Sequence, residues 1–71
     1  MMPTAAQRVV QLLSDLGGDW LCDDCIAKKL GFTQRQQANQ IANTLALTRD
    51  YSRGTGPCTE CGVIKLVTSH A

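Results

Sequence analysis

No stretch of this chain approaches the roughly 20 consecutive apolar residues needed to cross a bilayer. The first apolar segment, Val9-Val10-Gln11-Leu12-Leu13, is broken by Gln11 and lacks the basic region and small-residue cleavage site of a secretory leader. The expectation is a cytoplasmic protein with no membrane partner. Catalytic groupings are missing too. There is one histidine, His70, which reads as a hydrated tail residue. The chain contains no Ser/His/Asp arrangement, no phosphate-cradling glycine loop and no paired carboxylates placed across a plausible cleft, so it reads as a non-enzyme. Aromatic residues are scarce, with one Trp, one Tyr and one Phe in 71 residues. That length makes one domain, residues 1–71, whose core is only marginally stabilising; chains of this size often add a metal or disulfides.

What the chain does have is four cysteines, all in two knuckles: Cys22-Asp-Asp-Cys25 and Cys58-Thr-Glu-Cys61. Each pair can hold one metal from a tight turn, and four thiolates are the number a closed tetrahedral zinc site takes. A cytosolic chain keeps its thiols reduced, and paired Cys-x-x-Cys then reads as metal rather than disulfide. We expect one structural Zn²⁺ held by Cys22, Cys25, Cys58 and Cys61. Disulfides and an iron centre are the rival readings. Four ligands leave no open position for water, which argues for structure over catalysis. A dithiol oxidoreductase would place one such motif in a βαβ setting, and none surrounds Cys22-Asp-Asp-Cys25.

The formal net charge of +1 moves to about −1 once four thiolates surround a divalent ion. It is also unevenly placed. Residues 1–25 set Arg8 against Asp15, Asp19, Asp23 and Asp24. Residues 26–71 set Lys28, Lys29, Arg35, Arg49, Arg53 and Lys65 against Asp50 and Glu60. The second part could face an anionic partner.

Thr4 with Gln7 makes a capping box, and Ala5, Ala6, Val9, Leu12, Leu13 and Leu16 recur at helical spacing, predicting a helix over 5–16 that ends at Gly17-Gly18. Residues 19–22 read as a short strand, with Trp20 as a lid on the core. Asp23 or Asp24 caps a two-turn helix carrying Ile26, Ala27 and Leu30 and closed by Gly31. Thr33 with Gln36 makes a second capping box, opening a helix over 34–47 whose apolar face is Ala38, Ile41, Ala42 and Leu45. Residues 49–68 read as a hairpin, ending in the β-branched run from Val63 to Thr68, with the second knuckle in its connection.

Helix, short strand, helix, turn, helix, hairpin is the order of the winged helix-turn-helix family. The stretch Ile26-Ala-Lys-Lys-Leu-Gly-Phe-Thr33 resembles that family's helix-turn-helix core, and Gly56-Pro-Cys-Thr-Glu-Cys-Gly62 resembles a zinc-ribbon knuckle. Together these resemblances cover about residues 5–68. They imply an α+β fold: a three-helix winged helix-turn-helix with a short β-hairpin wing, stapled by the four-cysteine zinc site. In such a fold the short strand pairs antiparallel with the last hairpin strand, which places the two knuckles side by side. One departure is Gln37, which stands where the family often has an apolar residue.

The resemblance implies a zinc-containing protein that binds double-stranded DNA, as a transcriptional regulator, with helix 34–47 as the recognition helix. With the apolar face inward, Gln36, Gln40 and Asn43 point outward, flanked by Thr33, Asn39 and Thr44, with Arg35 at the edge. Gln and Asn suit adenine in the major groove and Arg suits guanine. Lys28, Lys29, Arg49, Arg53 and Lys65 could neutralise backbone phosphates. The alternatives are a protein-interaction module or homodimer that does not touch DNA, with Leu47, Val63 and Tyr51 as surface candidates, and a metal or redox sensor.

Overall fold

A computed structural model describes residues 3–70. The chain runs α1 (Ala5–Asp15), β1 (Leu21–Cys22), α2 (Asp23–Leu30), α3 (Arg35–Leu45), β2 (Tyr51–Pro57) and β3 (Ile64–His70). The class is α+β, as expected: three helices beside one antiparallel three-stranded sheet of order β1-β3-β2.

The start of α1 follows its residues closely. Thr4 Oγ1 accepts the Gln7 N–H at 3.1 Å, while Gln7 Oε1 accepts the Thr4 N–H at 2.7 Å, so both halves of the capping box form. Leu16 caps the other end, and Gly17 and Gly18 take positive φ beyond it. Val9 and Leu13 are the face that α1 buries.

At α2 the expected cap is displaced by one residue. Cys22 occupies the N-cap position without a side-chain hydrogen bond, and Asp23 and Asp24 are the first two helical residues. There they complement the helix dipole, but their carboxylates are used across the fold, on Arg53 and on Lys65. Gly31 ends the helix at φ +72°, as glycine readily does, and the Phe32 N–H closes onto the Ala27 carbonyl at 2.8 Å.

The second capping box does not form. Gln34, not Thr33, caps α3, and no side chain bonds to that end. Phe32 packs against the core beneath the Arg8 guanidinium. We attribute the entry angle of α3 to that anchor rather than to a local cap. The helix also stops at Leu45, and Leu47, in the turn that follows, is exposed. Its buried residues are Ala38 and Ala42, with Ile41 and Leu45 half-buried, so Gln37 lies outside and Ala38 takes the inward place.

The hairpin expected over 49–68 is β2 and β3, in register from Tyr51↔His70 to Pro57↔Ile64. On the other side of β3, β1 adds two pairs, Leu21↔Thr68 and Cys22↔Val67. Leu21 and Cys22 are both buried, whereas Trp20 lies just before the strand. Trp20 is 39% exposed, is not among the side chains packed on the core, and is no lid on it. The core itself is Val9, Leu13, Leu21, Ile26, Ala38 and Val67, continuous with Cys22, Cys25 and Cys58. Among the described residues no helix is long and apolar enough to cross a membrane.

Candidate metal centre

The β1–β3 pairing carries the first knuckle to the second. Cys22 ends β1, Cys25 lies in the first turn of α2, and Cys58 and Cys61 lie in the connection between β2 and β3. Two backbone contacts hold the connection in place: the Thr59 N–H donates to the Trp20 carbonyl at 2.7 Å, and the Cys58 N–H to the Val63 carbonyl at 3.0 Å. Gly62, at φ +73°, returns its N–H to the Cys58 carbonyl at 2.8 Å and closes the turn. A residue with a Cβ is strained at that φ.

All four cysteines are free thiols, and their sulfurs lie within 4.8 Å of one another. Cys22 and Cys61 sulfurs are 3.8 Å apart, and Cys25 and Cys58 sulfurs 3.6 Å. A tetrahedron with sulfur about 2.3 Å from its centre has edges of about 3.8 Å. The four residues therefore fit one tetrahedrally bound metal ion, and the donor set is compatible with zinc. Disulfide pairing is not the state of this structure. Cys22, Cys25 and Cys58 are buried and Cys61 is exposed, so the site opens to solvent on one side.

The protein environment divides the thiols. Burial pushes Cys58 up, but N–H groups of Cys61, Cys22 and Glu60 aimed at its sulfur prevail and bring it down to about 6; the Cys22 N–H lies 3.4 Å from that sulfur. Burial, reinforced by the neighbouring thiols, pushes Cys25 strongly up. Burial also raises Cys22. An uncompensated buried thiolate pair is costly, and a divalent cation is the group that would make all four thiolates stable together.

Comparison with protein-family models, with curated proteins and with solved structures finds no match.

The residues expected to touch DNA divide into two sets. Thr33, Arg35, Gln36, Gln40 and Asn43 are exposed, as are Gln34 and Gln37, which the sequence reading had left out. Asn39 is half-buried and donates to Asp23 Oδ2 at 2.9 Å. Asn43 donates to Asn39 Oδ1 at 3.2 Å, and its own Oδ1 accepts from Arg53 Nε at 2.8 Å.

Arg53 corrects the sequence reading most sharply. Its side chain is 5% exposed, and it grips Asp23 through Nη1 at 2.9 Å and Nη2 at 2.8 Å, with a further bond from Nη1 to Thr68 Oγ1 at 2.6 Å. It is an internal tie joining α2, α3 and the sheet, with four of its five N–H donors already engaged. Nothing local could have revealed this, since the partners are 30 residues apart.

Three other cations have acidic neighbours: Lys29 with Glu60 at 3.4 Å, Arg35 with Asp24 at 3.6 Å and Lys65 with Asp24 at 2.7 Å. The Lys65 hydrogen bond holds the Asp24 carboxyl below the usual range, and Asp24 in turn holds the Lys65 ammonium above it. Lys28 and Arg49 are exposed and make no ion pair among the described residues.

Proposed function

We propose that the protein is a zinc-stabilised winged helix, without catalytic activity, that binds double-stranded DNA through α3 and serves as a regulator. The fold part of this reading draws support from the element order and from β1 lying antiparallel to β3. The observation that carries the functional part is the outer face of α3. Arg35, Gln36, Gln37 and Gln40 are all exposed there, and the helix contains no acidic residue. Glutamine amides reach the paired donor and acceptor of adenine in the major groove, and arginine those of guanine. Asn39 and Asn43 hold the helix against Asp23 and Arg53 and so belong to its support. Lys28 and Arg49 are the readiest phosphate partners. Lys29, Arg35 and Lys65 can join them, because exposed ion pairs cost little to exchange.

The test is an amide-shift NMR titration of the zinc-loaded protein with a mixed-sequence duplex at low salt. Shifts are expected on residues 33–44, and the double change Gln36→Ala with Gln40→Ala should weaken binding at least tenfold without altering the fold. With about three to five phosphates neutralised, affinity should fall on the order of a hundredfold between 50 and 200 mM salt.

A second reading has its own observation. The hairpin connection and the chain beside it expose Val63 at 48%, Ile64 at 72%, Leu66 at 43% and Trp20 at 39%. Side chains of this kind suit contact with protein rather than with phosphate. Of the three surface candidates chosen from sequence, Val63 and Leu47 are exposed, whereas Tyr51 is half-buried and packs edge-on against His70. If the titration leaves α3 unmoved at low salt, this reading replaces DNA binding.

A further inference from the structure

We propose that Cys61 is the oxidation site of the metal centre, and that Cys22 resolves its sulfenic acid into a disulfide joining the two knuckles. The inference rests on the zinc reading of the four cysteines. Cys61 is the one exposed residue of the set and lies on the side of the site from which a small oxidant arrives; exposure and thiolate character decide which cysteine is oxidised. The neighbouring sulfurs are not equally free to respond. Cys58 is pinned by the Cys22 N–H on its sulfur at 3.4 Å and lies 3.6 Å from Cys25. Cys22 is the thiol placed against Cys61, at 3.8 Å. Closing that pair to a bond of about 2.05 Å joins two sulfurs already 3.8 Å apart.

The oxidant is hydrogen peroxide. The Cys61 thiolate attacks one peroxide oxygen, the O–O bond breaks, and hydroxide leaves, giving a sulfenic acid. The Cys22 thiolate then attacks the Cys61 sulfur and expels a second hydroxide. Two thiolates are oxidised to one disulfide and one peroxide is reduced, with the two hydroxides taking up solvent protons. A metal held by the four thiolates would be left with Cys25 and Cys58 alone and would be released.

This pairing differs in consequence from a bond within either knuckle. A bond between Cys22 and Cys25, or between Cys58 and Cys61, would leave the two knuckles untied once the metal departs. The Cys22–Cys61 bond spans 39 residues in sequence and ties the same points that the metal tied. The oxidised protein therefore gives up its metal while keeping its helices, and a dithiol reductant restores the site.

The experiment begins by measuring zinc in the full-length protein; absence of bound zinc removes the zinc reading itself, separately from the oxidation chemistry. The zinc-loaded protein is then treated with one equivalent of hydrogen peroxide, free thiols are alkylated, and disulfides are mapped by peptide mass spectrometry. The expected result is a dominant Cys22–Cys61 link, about one zinc released per peroxide, and most of the helical circular dichroism retained. A parallel short exposure with a 1,3-diketone trap should label Cys61 ahead of the other three, and this readout needs no variant that fails to fold. A dominant link within one knuckle, first labelling of Cys22, Cys25 or Cys58, or retention of zinc under these conditions overturns the proposal.

Discussion

Changing Cys58 to serine, or removing the metal with a strong chelator under reducing conditions, is expected to abolish most of the helical circular dichroism. The magnitudes decide this. A hydrophobic core in a chain this short supplies only about 3–5 kcal/mol, whereas structural zinc contributes about 10–16 kcal/mol of apparent binding free energy to small domains. The core here is also built partly from the cysteines, since Cys22, Cys25 and Cys58 are among its buried residues. Serine at position 58 removes the sulfur on which the N–H groups of Cys61, Cys22 and Glu60 converge. A Lys28→Ala control, on an exposed side chain, should leave the spectrum unchanged. Native helicity surviving chelation would contradict a structural role for the metal.

The second large effect is expected at Arg53. Arg53→Met keeps an unbranched chain of similar length but leaves the Asp23 carboxylate with Asn39 alone, in a setting where the pair is 5% and 13% exposed. Breaking one side of such a pair typically costs about 3–5 kcal/mol, because the remaining charge is buried without compensation. In a domain of this size that lowers the thermal midpoint by more than about 10 °C, measured on zinc-loaded protein at fixed zinc concentration. Adding Asp23→Asn to the same chain should recover a large part of the loss. A solvent-facing phosphate contact would behave in the opposite way, with stability intact and only DNA affinity reduced, so the melting curve separates the two roles.

These cases show what a one-dimensional reading can reach. The Thr4–Gln7 cap, the Gly31 stop and the two Cys-x-x-Cys turns depend on residues three or four apart, and each appears where its local chemistry requires. The hairpin around the second knuckle was legible for the same reason, while the meeting of the knuckles was expected from the winged-helix resemblance and is seen in the β1–β3 pairing. The Asp23–Arg53 tie was not legible, because two aspartates precede α2's apolar stripe and several cations could have answered either one; only the register that sets Arg53 opposite Thr68 selects the partner. Thr33 does not cap α3: Gln34 takes the N-cap position, with no side-chain bond to that end, just after Phe32 docks on the core. Trp20 was expected inside because it is large and apolar, but it precedes the two buried strand residues and stays 39% exposed.

That two-residue strand has a consequence for how the molecule assembles. Neighbouring segments supply most of the architecture: α2 leads directly into α3, and β2 folds back onto β3. Among the strands, β1 is the one whose partner lies far along the chain, Leu21 against Thr68 and Cys22 against Val67, and two backbone pairs offer little return for closing so long a loop. An ion already held by one knuckle changes the terms of that search, since the other knuckle then meets it as a tethered ligand at millimolar effective concentration. With a metal so held, joining the knuckles would be a coordination step within one chain, and a longer-range pairing would be completed as a local one.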